Sequence, residues 1–176
     1  MNHIMLDLET LGTTPGCIVA SIGACVFDPS GVGAAFYTAV DICASPGLVA
    51  DPGTVRWWMG QSEEARMVFK DPERKPLDLA LAAFAEWVRD VNGTFVWCHG
   101  ASFDAPLLEA AYKVRNMRPP WEFYDVRDTR TLYHVSGVYP VRGASTHHNA
   151  LSDAQAQAEA AIKALNAIGW PAENLK

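Results

Sequence analysis

The sequence predicts an α/β or α+β fold in which helices cover a mixed β-sheet. β-rich runs separated by turn residues fill the first part of the chain, up to Ile42. Beyond it, segments with apolar residues at helical spacing alternate with short apolar runs, and the last segment is a long amphipathic stretch rich in alanine. Strands first, followed by alternating helices and strands, is the order typical of this fold class.

The opening part of the chain predicts three strands in an antiparallel meander. Residues 3–8 form the first strand, "GTTPG" interrupts the pattern, and residues 17–28 form a longer run that ends at the turn sequence "DPSG". "GAAFYTAVDI" follows as the third strand. The sequence has no internal repeat, low-complexity tract or interdomain linker, so we expect one domain over residues 1–176.

The middle and the end of the chain predict helices around two short strands. "TVRWWMGQSEEARMVF" has short helical character, and residues 77–91 carry apolar side chains at spacings of three and four until Asn92 and Gly93 end the helix. "TFVWC" suits a buried strand, and the next helix has Pro106 near its start, where the missing N–H does no harm. "PPWEFYDVRDTRTLY" predicts a brief strand and a short helix, and an amphipathic helix spans residues 150–168.

Composition and charge limit the function classes. A chain of 176 residues with 49% hydrophobic and 19% charged residues is typical of a folded globular domain. The net charge of −6 disfavours a protein that grips long duplexes through many phosphates, although bound divalent cations can offset carboxylates at a site. "MNHIMLDLET" lacks the basic start of a signal peptide, no run is long enough to span a membrane, and the four cysteines suit reduced thiols. We therefore expect a cytoplasmic protein without a membrane partner.

Acidic residues at strand and helix ends are the first candidates for chemistry. In "IMLDLET" the alternation of a strand places Asp7 and Glu9 on one face, where two carboxylates repel each other unless protons or cations intervene. A hard divalent cation suits such a pair, and the competing interpretation is an acidic strand end that faces water. Asp104 and Asp153 each lie near the start of a helix, where an aspartate can serve as a helix cap or as a metal ligand.

The stretch "THHNALSDA" places two adjacent histidines ahead of Asp153. His148 and Asp153 would lie about 140° apart on one helix, so they cannot share its face as an i, i+4 ligand pair does. The spacing therefore puts His148 on a loop before the helix, where an imidazole can act as a general base near neutral pH.

Three motifs in this order, "LDLET", "FDAPLL" and "HNALSD", resemble those of the DEDDh group of 3′–5′ exonucleases, relatives of polymerase proofreading subunits, RNase T and oligoribonuclease. "LDLETLGTTPGCIVASIGACVFDPSG", "TVRWWMGQSEEAR" and "DTRTLY" are similar to segments of the exodeoxyribonuclease VIII-like nucleases of phages and prophages and of RNase AS. The resemblance spans nearly the whole chain. It implies an RNase H-like fold, with a mixed five-stranded sheet and helices on both faces.

The resemblance also implies four metal-binding acids and one general base, which are Asp7, Glu9, Asp104, Asp153 and His148. It implies two Mg²⁺ ions, which Mn²⁺ can replace, and release of nucleoside 5′-monophosphates from a single-stranded 3′ end of DNA or RNA. The family's contacts to the terminal nucleotide fall on Leu11, Gly12 and Phe103. Trp58 is a further stacking candidate, with core packing as its alternative. Relatives are often dimers, so the resemblance is also compatible with a homodimer.

Some positions depart from the family pattern or stay outside the assigned site. Many members have asparagine after the histidine of the "HGASFDAPLL" motif, whereas this chain has Gly100, which removes a side-chain contact there. Asp128 and Arg130 lie in a family-like motif, but Asp128 is expected to cap the short helix after it, and neither is assigned a catalytic role. His147 is one position out of register with His148 and is expected to be a bystander. Two other functions stay open: an inactive nucleic-acid- or nucleotide-binding module, and a different metal phosphoesterase.

Overall fold

A mixed five-stranded sheet forms the centre of the structure, which is a computed structural model and describes residues 2–140 and 148–169. Its strands are β1 (Asn2–Thr10), β2 (Val19–Asp28), β3 (Gly31–Ala39), β4 (Gly93–Cys98) and β5 (Val126–Asp128). They lie in the order β3-β2-β1-β4-β5, in which β2 is antiparallel to both β3 and β1, and β1, β4 and β5 are parallel to one another. The three-stranded meander predicted from the sequence is confirmed.

Helices connect and cover the strands. Those in the described ranges are α1 (Pro52–Met59), α2 (Glu63–Arg66), α3 (Leu77–Asp90), α4 (Asp104–Val114), α5 (Thr129–Ser136) and α6 (Ala150–Ala167). The side chains of Asp51, Asp128 and Asn149 accept a backbone N–H of the first turn and so cap α1, α5 and α6. The capping role expected for Asp128 is confirmed. None of these helices is both long and apolar enough to cross a membrane.

The alternation of side chains along β1 divides the core between the two faces of the sheet. Ile4, Leu6 and Leu8 lie on one face, where they pack with apolar residues of α3 and α4. Met5 lies on the other face, where α5 and α6 supply the apolar partners. Helices therefore cover both faces of the sheet, which agrees with the fold that the resemblance implies.

The start of α6 lies directly on β2 because residue 23 has no side chain. Gly23 pairs with Asp7 across the ladder between β1 and β2, and a Cβ on Gly23 would lie 2.2 Å from the backbone carbonyl carbon of Ala150. Any larger residue would push the helix away from the sheet. This close approach places the first turn of α6 beside the acidic end of β1.

Candidate active site

The end of β1 carries two acids on the face of the sheet that α6 covers. Asp7 and Glu9 alternate with Leu6 and Leu8, which lie in the opposite core, so the predicted division of this strand is confirmed. The first turn of α6 brings Asp153 to the same place. Side-chain oxygens of Asp7, Glu9 and Asp153 all lie within 4.8 Å of one another. Three oxygen ligands at this spacing can hold a hard divalent cation.

Asp104 borders this cluster from the start of α4, the helix that follows the neighbouring strand β4. It is the first residue of α4 and is 3% exposed, and its Oδ1 accepts a hydrogen bond from the backbone N–H of Leu8 at 3.2 Å. Because Leu8 lies between Asp7 and Glu9, this bond ties the start of α4 to the acidic end of β1. The Asp104 carboxylate is also close enough to repel both acids electrostatically. The structure thus brings all four predicted acids together, with three in the tight cluster and Asp104 beside it.

Burial raises the pKa of all four carboxyl groups, and repulsion from neighbouring acids adds to this rise at Asp7 and Glu9. Burial is the largest cause at each of them, and the pKa of Glu9 rises to about 8 and that of Asp104 to about 7. At Asp7, burial and then repulsion by the other three acids raise the pKa well above its usual range. Burial also raises the pKa of Asp153, against the influence of His148. A bound cation would offset this repulsion and stabilise the ionised carboxylates.

Gln157 orients one of the acids, although no sequence motif pointed to it. Its side-chain N–H donates to Oδ1 of Asp7 at 2.8 Å, and its own Oε1 is buried with no hydrogen-bond partner among the described residues. Gln157 lies four residues after Asp153, so the two side chains share one face of α6. That spacing is the signal in the sequence, and it has meaning only once Asp153 is placed in the site.

His148 lies on the loop directly before α6, as its spacing from the helix predicts. The residue has a left-handed backbone conformation with φ 48°, and the next residue, Asn149, caps the helix. The exposed imidazole packs edge-on against two indoles, with ring centroids 4.9 Å from Trp57 and 6.1 Å from Trp58. It is therefore supported from the side while solvent still reaches it. His147, the expected bystander, lies outside the described residues.

A cleft of about 530 Å³ opens beside the acids, within the size range of small-ligand sites. The end of β1, the start of α1, Phe103 and His148 line it. Two of its aromatic side chains, Trp57 and Phe103, offer surface for stacking, and Trp57 is 46% exposed. None of the described residues that line the cleft is a lysine or an arginine. The cleft therefore suits an aromatic base, and a phosphate must find its positive charge elsewhere.

Two of the predicted substrate contacts are largely buried. Trp58 borders the cleft but is only 3% exposed, and its indole N–H donates to the backbone oxygen of Thr10 at 2.8 Å, so it also braces the end of β1, while Trp57 presents the more accessible ring. Adjacent helical residues point about 100° apart, so only one of the pair can face the cleft fully. Leu11 packs with Trp58 in a small apolar cluster and is absent from the cleft wall. Gly12, by contrast, borders the cleft as expected.

Solved exonuclease structures share this fold. The nuclease domain of 3′hExo, described as a DEDDh family member bound to rAMP, matches with a TM-score of 0.60 and 12% identity over 94% of this chain and 92% of that one. Exonuclease X in complex with 5′-overhanging duplex DNA matches with a TM-score of 0.56 and 18% identity over 98% and 96%. A zinc-bound E. coli exonuclease I complex with single-stranded DNA has a TM-score of 0.61 and 15% identity over 94% of this chain and 40% of that one. The fold is therefore that of the DEDDh, RNase H-like exonucleases.

A family model and a phage enzyme extend the likeness to sequence. The model described as the 3′–5′ exoribonuclease Rv2179c-like domain matches residues 2–165, and the chain belongs to this family of exonucleases. The exodeoxyribonuclease of Enterobacteria phage T4 is 27% identical over 124 residues, which cover 61% of this chain and 54% of that protein. The match thus spans about half the length of the phage relative. The resemblance to 3′–5′ exonucleases seen in "LDLET", "FDAPLL" and "HNALSD" is confirmed.

Proposed function

We propose that the chain uses divalent metal ions to hydrolyse the last phosphodiester bond at a single-stranded 3′ end and releases a nucleoside 5′-monophosphate. The observation that carries the proposal is the cluster of Asp7, Glu9 and Asp153 oxygens within 4.8 Å of one another, beside an aromatic cleft. Membership of a 3′–5′ exonuclease family supports the direction of cleavage. The chain would work as one domain in the cytoplasm, a compartment that suits its four free cysteines.

The acid cluster suits a hard divalent cation, and we expect it to hold two Mg²⁺ ions, with Mn²⁺ as a substitute. Every ligand atom is a carboxylate oxygen, the type that hard cations prefer. The negative charges of the acids repel one another unless a bound cation offsets them. Asp7, Glu9 and Asp153 would hold the ions together with Asp104, and the amide N–H of Gln157 would keep Asp7 oriented toward them. When bound, such ions lower the pKa of a water molecule and stabilise the charge that develops on the phosphate.

His148 is the proposed general base. Its exposed imidazole lines the cleft and lies within electrostatic range of Asp153, since it opposes the burial that raises the pKa of that carboxyl group. A neutral imidazole in this position can accept a proton from the attacking water, and the Asp153 carboxylate stabilises the imidazolium that forms. The proton can then pass to solvent from the exposed side of the ring. The indole of Trp57 limits where the imidazole can turn, since the two rings are in edge contact.

The terminal nucleoside would occupy the cleft. Trp57 and Phe103 both line it, and stacking on aromatic rings accepts any unpaired base because every base has a π-face. A single-stranded end suits this site, since the terminal nucleotide must separate from any partner before it can enter. The family description names an exoribonuclease and the phage relative is an exodeoxyribonuclease, so both polymers are candidate substrates. Contacts to the 2′-OH would decide between them.

A homodimer is also part of the proposal. Phe123 and Tyr124 are 83% and 62% exposed, which is high for large aromatic side chains, and they provide a candidate contact surface. Sedimentation velocity over a range of protein concentrations tests this point. A monomer at every concentration would remove the dimer and leave the proposed chemistry unaffected.

The decisive experiment is a time course with 5′-labelled single-stranded DNA and RNA of one sequence, in Mg²⁺ or in Mn²⁺. The intact protein should produce a ladder that shortens from the 3′ end. Asp7→Asn and His148→Ala should each lose about 100-fold or more in rate, because one removes a metal ligand and the other the base. Binding of both polymers without cleavage under every condition would favour the inactive binding module instead.

A further inference from the structure

Three parallel strands present their C-terminal ends at one edge of the sheet, where proteins of this architecture bind ligands. β1 carries Asp7 and Glu9, and β4 leads into the short loop before Asp104. β5 leads directly into α5, whose second residue is Arg130. Arg130 therefore follows the third strand on the same edge that carries the acids.

The register between the strands gives the distance between the start of α5 and the end of β1. Leu6 of β1 pairs with Cys98 of β4, and Cys98 pairs with Asp128 of β5. Neighbouring strands lie about 4.8 Å apart, so Asp128 is about 10 Å from β1 at the level where the acids begin. One or two nucleotides of an extended strand cover this distance. A strand whose last phosphate lies at the acids can therefore reach the start of α5.

The start of α5 is fastened to the loop that leads to α4. The carboxylate of Asp128 accepts hydrogen bonds from the backbone N–H of Thr131 and of Ala101, both at 2.8 Å. Partial burial raises the pKa of Asp128, but these hydrogen bonds outweigh it and hold the pKa below its usual range. The carboxylate therefore stays ionised and accepts both hydrogen bonds. The hydroxyl of Thr129, which is fully buried, donates to the backbone oxygen of Cys98 at 3.1 Å. The backbone that carries Arg130 is thus held in place.

The guanidinium of Arg130 lies over Gly100, in space that a side chain at position 100 would contact. A Cβ on Gly100 would lie 3.5 Å from both Cζ and Nε of Arg130, and the φ of +104° at Gly100 also favours glycine. The side chain is exposed, and its guanidinium makes no hydrogen bond or ion pair with any residue in the described ranges. The charge of Arg130 nevertheless acts on the site, because it lowers the pKa of Asp104, which burial raises.

A guanidinium that has no partner among the described residues and lies within electrostatic reach of Asp104 suits an anionic ligand. Substrate phosphates approach a protein with a net charge of −6 and a cleft whose described lining residues include no lysine or arginine. The planar fork of an arginine matches two oxygens of a phosphate, and the hydrogen bonds it makes there are charge-assisted. We propose that Arg130 binds a backbone phosphate one or two nucleotides to the 5′ side of the scissile bond. This inference rests on the proposed exonuclease function.

The test compares two substrates that differ in whether the upstream phosphate exists. A short single-stranded oligonucleotide has it, and the p-nitrophenyl ester of thymidine 5′-monophosphate has only the phosphate that is cleaved. For Arg130→Gln we expect KM for the oligonucleotide to rise about tenfold with kcat nearly unchanged, and the salt dependence of binding to weaken by about one phosphate contact. Arg130→Lys should restore part of the loss, because it keeps the charge without the fork. Hydrolysis of the ester should stay within about twofold of the intact protein.

Arg127→Gln is the matched control. Arg127 lies on β5 but packs over the ring of Phe95 at 4.6 Å and donates to the backbone oxygen of Tyr124 at 2.6 Å, so its loss should leave the kinetics of both substrates unchanged. An unchanged KM for the oligonucleotide in Arg130→Gln would overturn the inference. Equal losses on both substrates would also overturn it, because they would mean that Arg130 acts through Asp104. If the intact protein cleaves neither substrate, the proposed function fails, and fluorescence anisotropy of oligonucleotide binding with the same variants still decides the role of Arg130.

Discussion

Replacing Glu9 by glutamine should stabilise the protein in the absence of metal and remove most of its stabilisation by metal. Glu9 is 7% exposed, and burial followed by repulsion from Asp153 and Asp104 raises its pKa from 4.5 to about 8. A carboxyl group with a higher pKa in the folded state binds its proton more tightly there than in the unfolded chain. Its contribution to stability is therefore complete below about pH 4.5 and is lost as the pH rises toward about 8.

The size of the effect follows from that pKa. One pH unit of difference corresponds to about 1.4 kcal/mol, so the change from 4.5 to about 8 gives an upper limit of about 5 kcal/mol at pH 8. Because protonation of one acid relieves repulsion at the others, the measured gain for Glu9→Gln should be about 2 to 3 kcal/mol. For a chain of this length that is a rise of about 5 to 10 °C in Tm.

Thermal unfolding in EDTA at pH 5 and pH 8, and again after addition of millimolar Mg²⁺, measures the stability gained in Glu9→Gln and the stabilisation that the metal provides. Glu9→Gln should exceed the intact protein in Tm at pH 8 without metal, and the difference should shrink at pH 5. Mg²⁺ should raise the Tm of the intact protein much more than that of the variant. Glu86→Gln is the control, since Glu86 is exposed on α3 and its replacement is the same chemical substitution, with the same change in formal charge. A variant no more stable than the intact protein at pH 8, or an equal response to Mg²⁺, would refute the reasoning.

Three further variants test how neighbouring residues support the acids and the cleft. Gly23→Ala places a Cβ 2.2 Å from the backbone of α6, so Tm should fall and activity should drop about 100-fold as Asp153 moves; normal values of both would contradict the role given to this glycine. Gln157→Leu removes the 2.8 Å hydrogen bond to Asp7 and should raise the Mg²⁺ concentration for half-maximal activity about tenfold, measured by metal titration. Trp57→Leu should raise KM about tenfold while Trp57→Phe largely preserves it, and equal effects would exclude stacking.

The strands and the acids were predictable because short-range rules govern them. The alternation of side chains along β1 places Asp7 and Glu9 on the same face of the strand. The spacing between His148 and Asp153 excludes a shared helical face, independently of the rest of the fold. Asp128 carries a helix-cap signal that depends on only a few residues. The order of the three motifs then identified the family, because their separations are hard to reproduce by chance.

The remaining parts of the site depend on contacts between distant segments. Gln157 reaches Asp7 across 150 positions of sequence, and nothing near either residue encodes that approach. Which of the two tryptophans presents the more accessible ring depends on the rotation of α1, and the hydrogen bond from Trp58 to Thr10 at the end of β1 holds that rotation. Leu11 faces inward because the loop after β1 folds back over a small apolar cluster. In each case tertiary packing decides which side chain faces the cleft, and local pattern cannot.

The central claim is that the acid cluster hydrolyses the terminal phosphodiester from the 3′ end, and the identity of the first product tests it most directly. An oligonucleotide with different labels on its 3′-terminal nucleotide and its 5′ end should release, in Mg²⁺, the 3′-terminal residue first, as a nucleoside 5′-monophosphate. In H₂¹⁸O that phosphate should contain one ¹⁸O atom, and Asp7→Asn should abolish the release. First products that are internal fragments, a nucleoside 3′-phosphate, or full activity in Asp7→Asn would contradict the account.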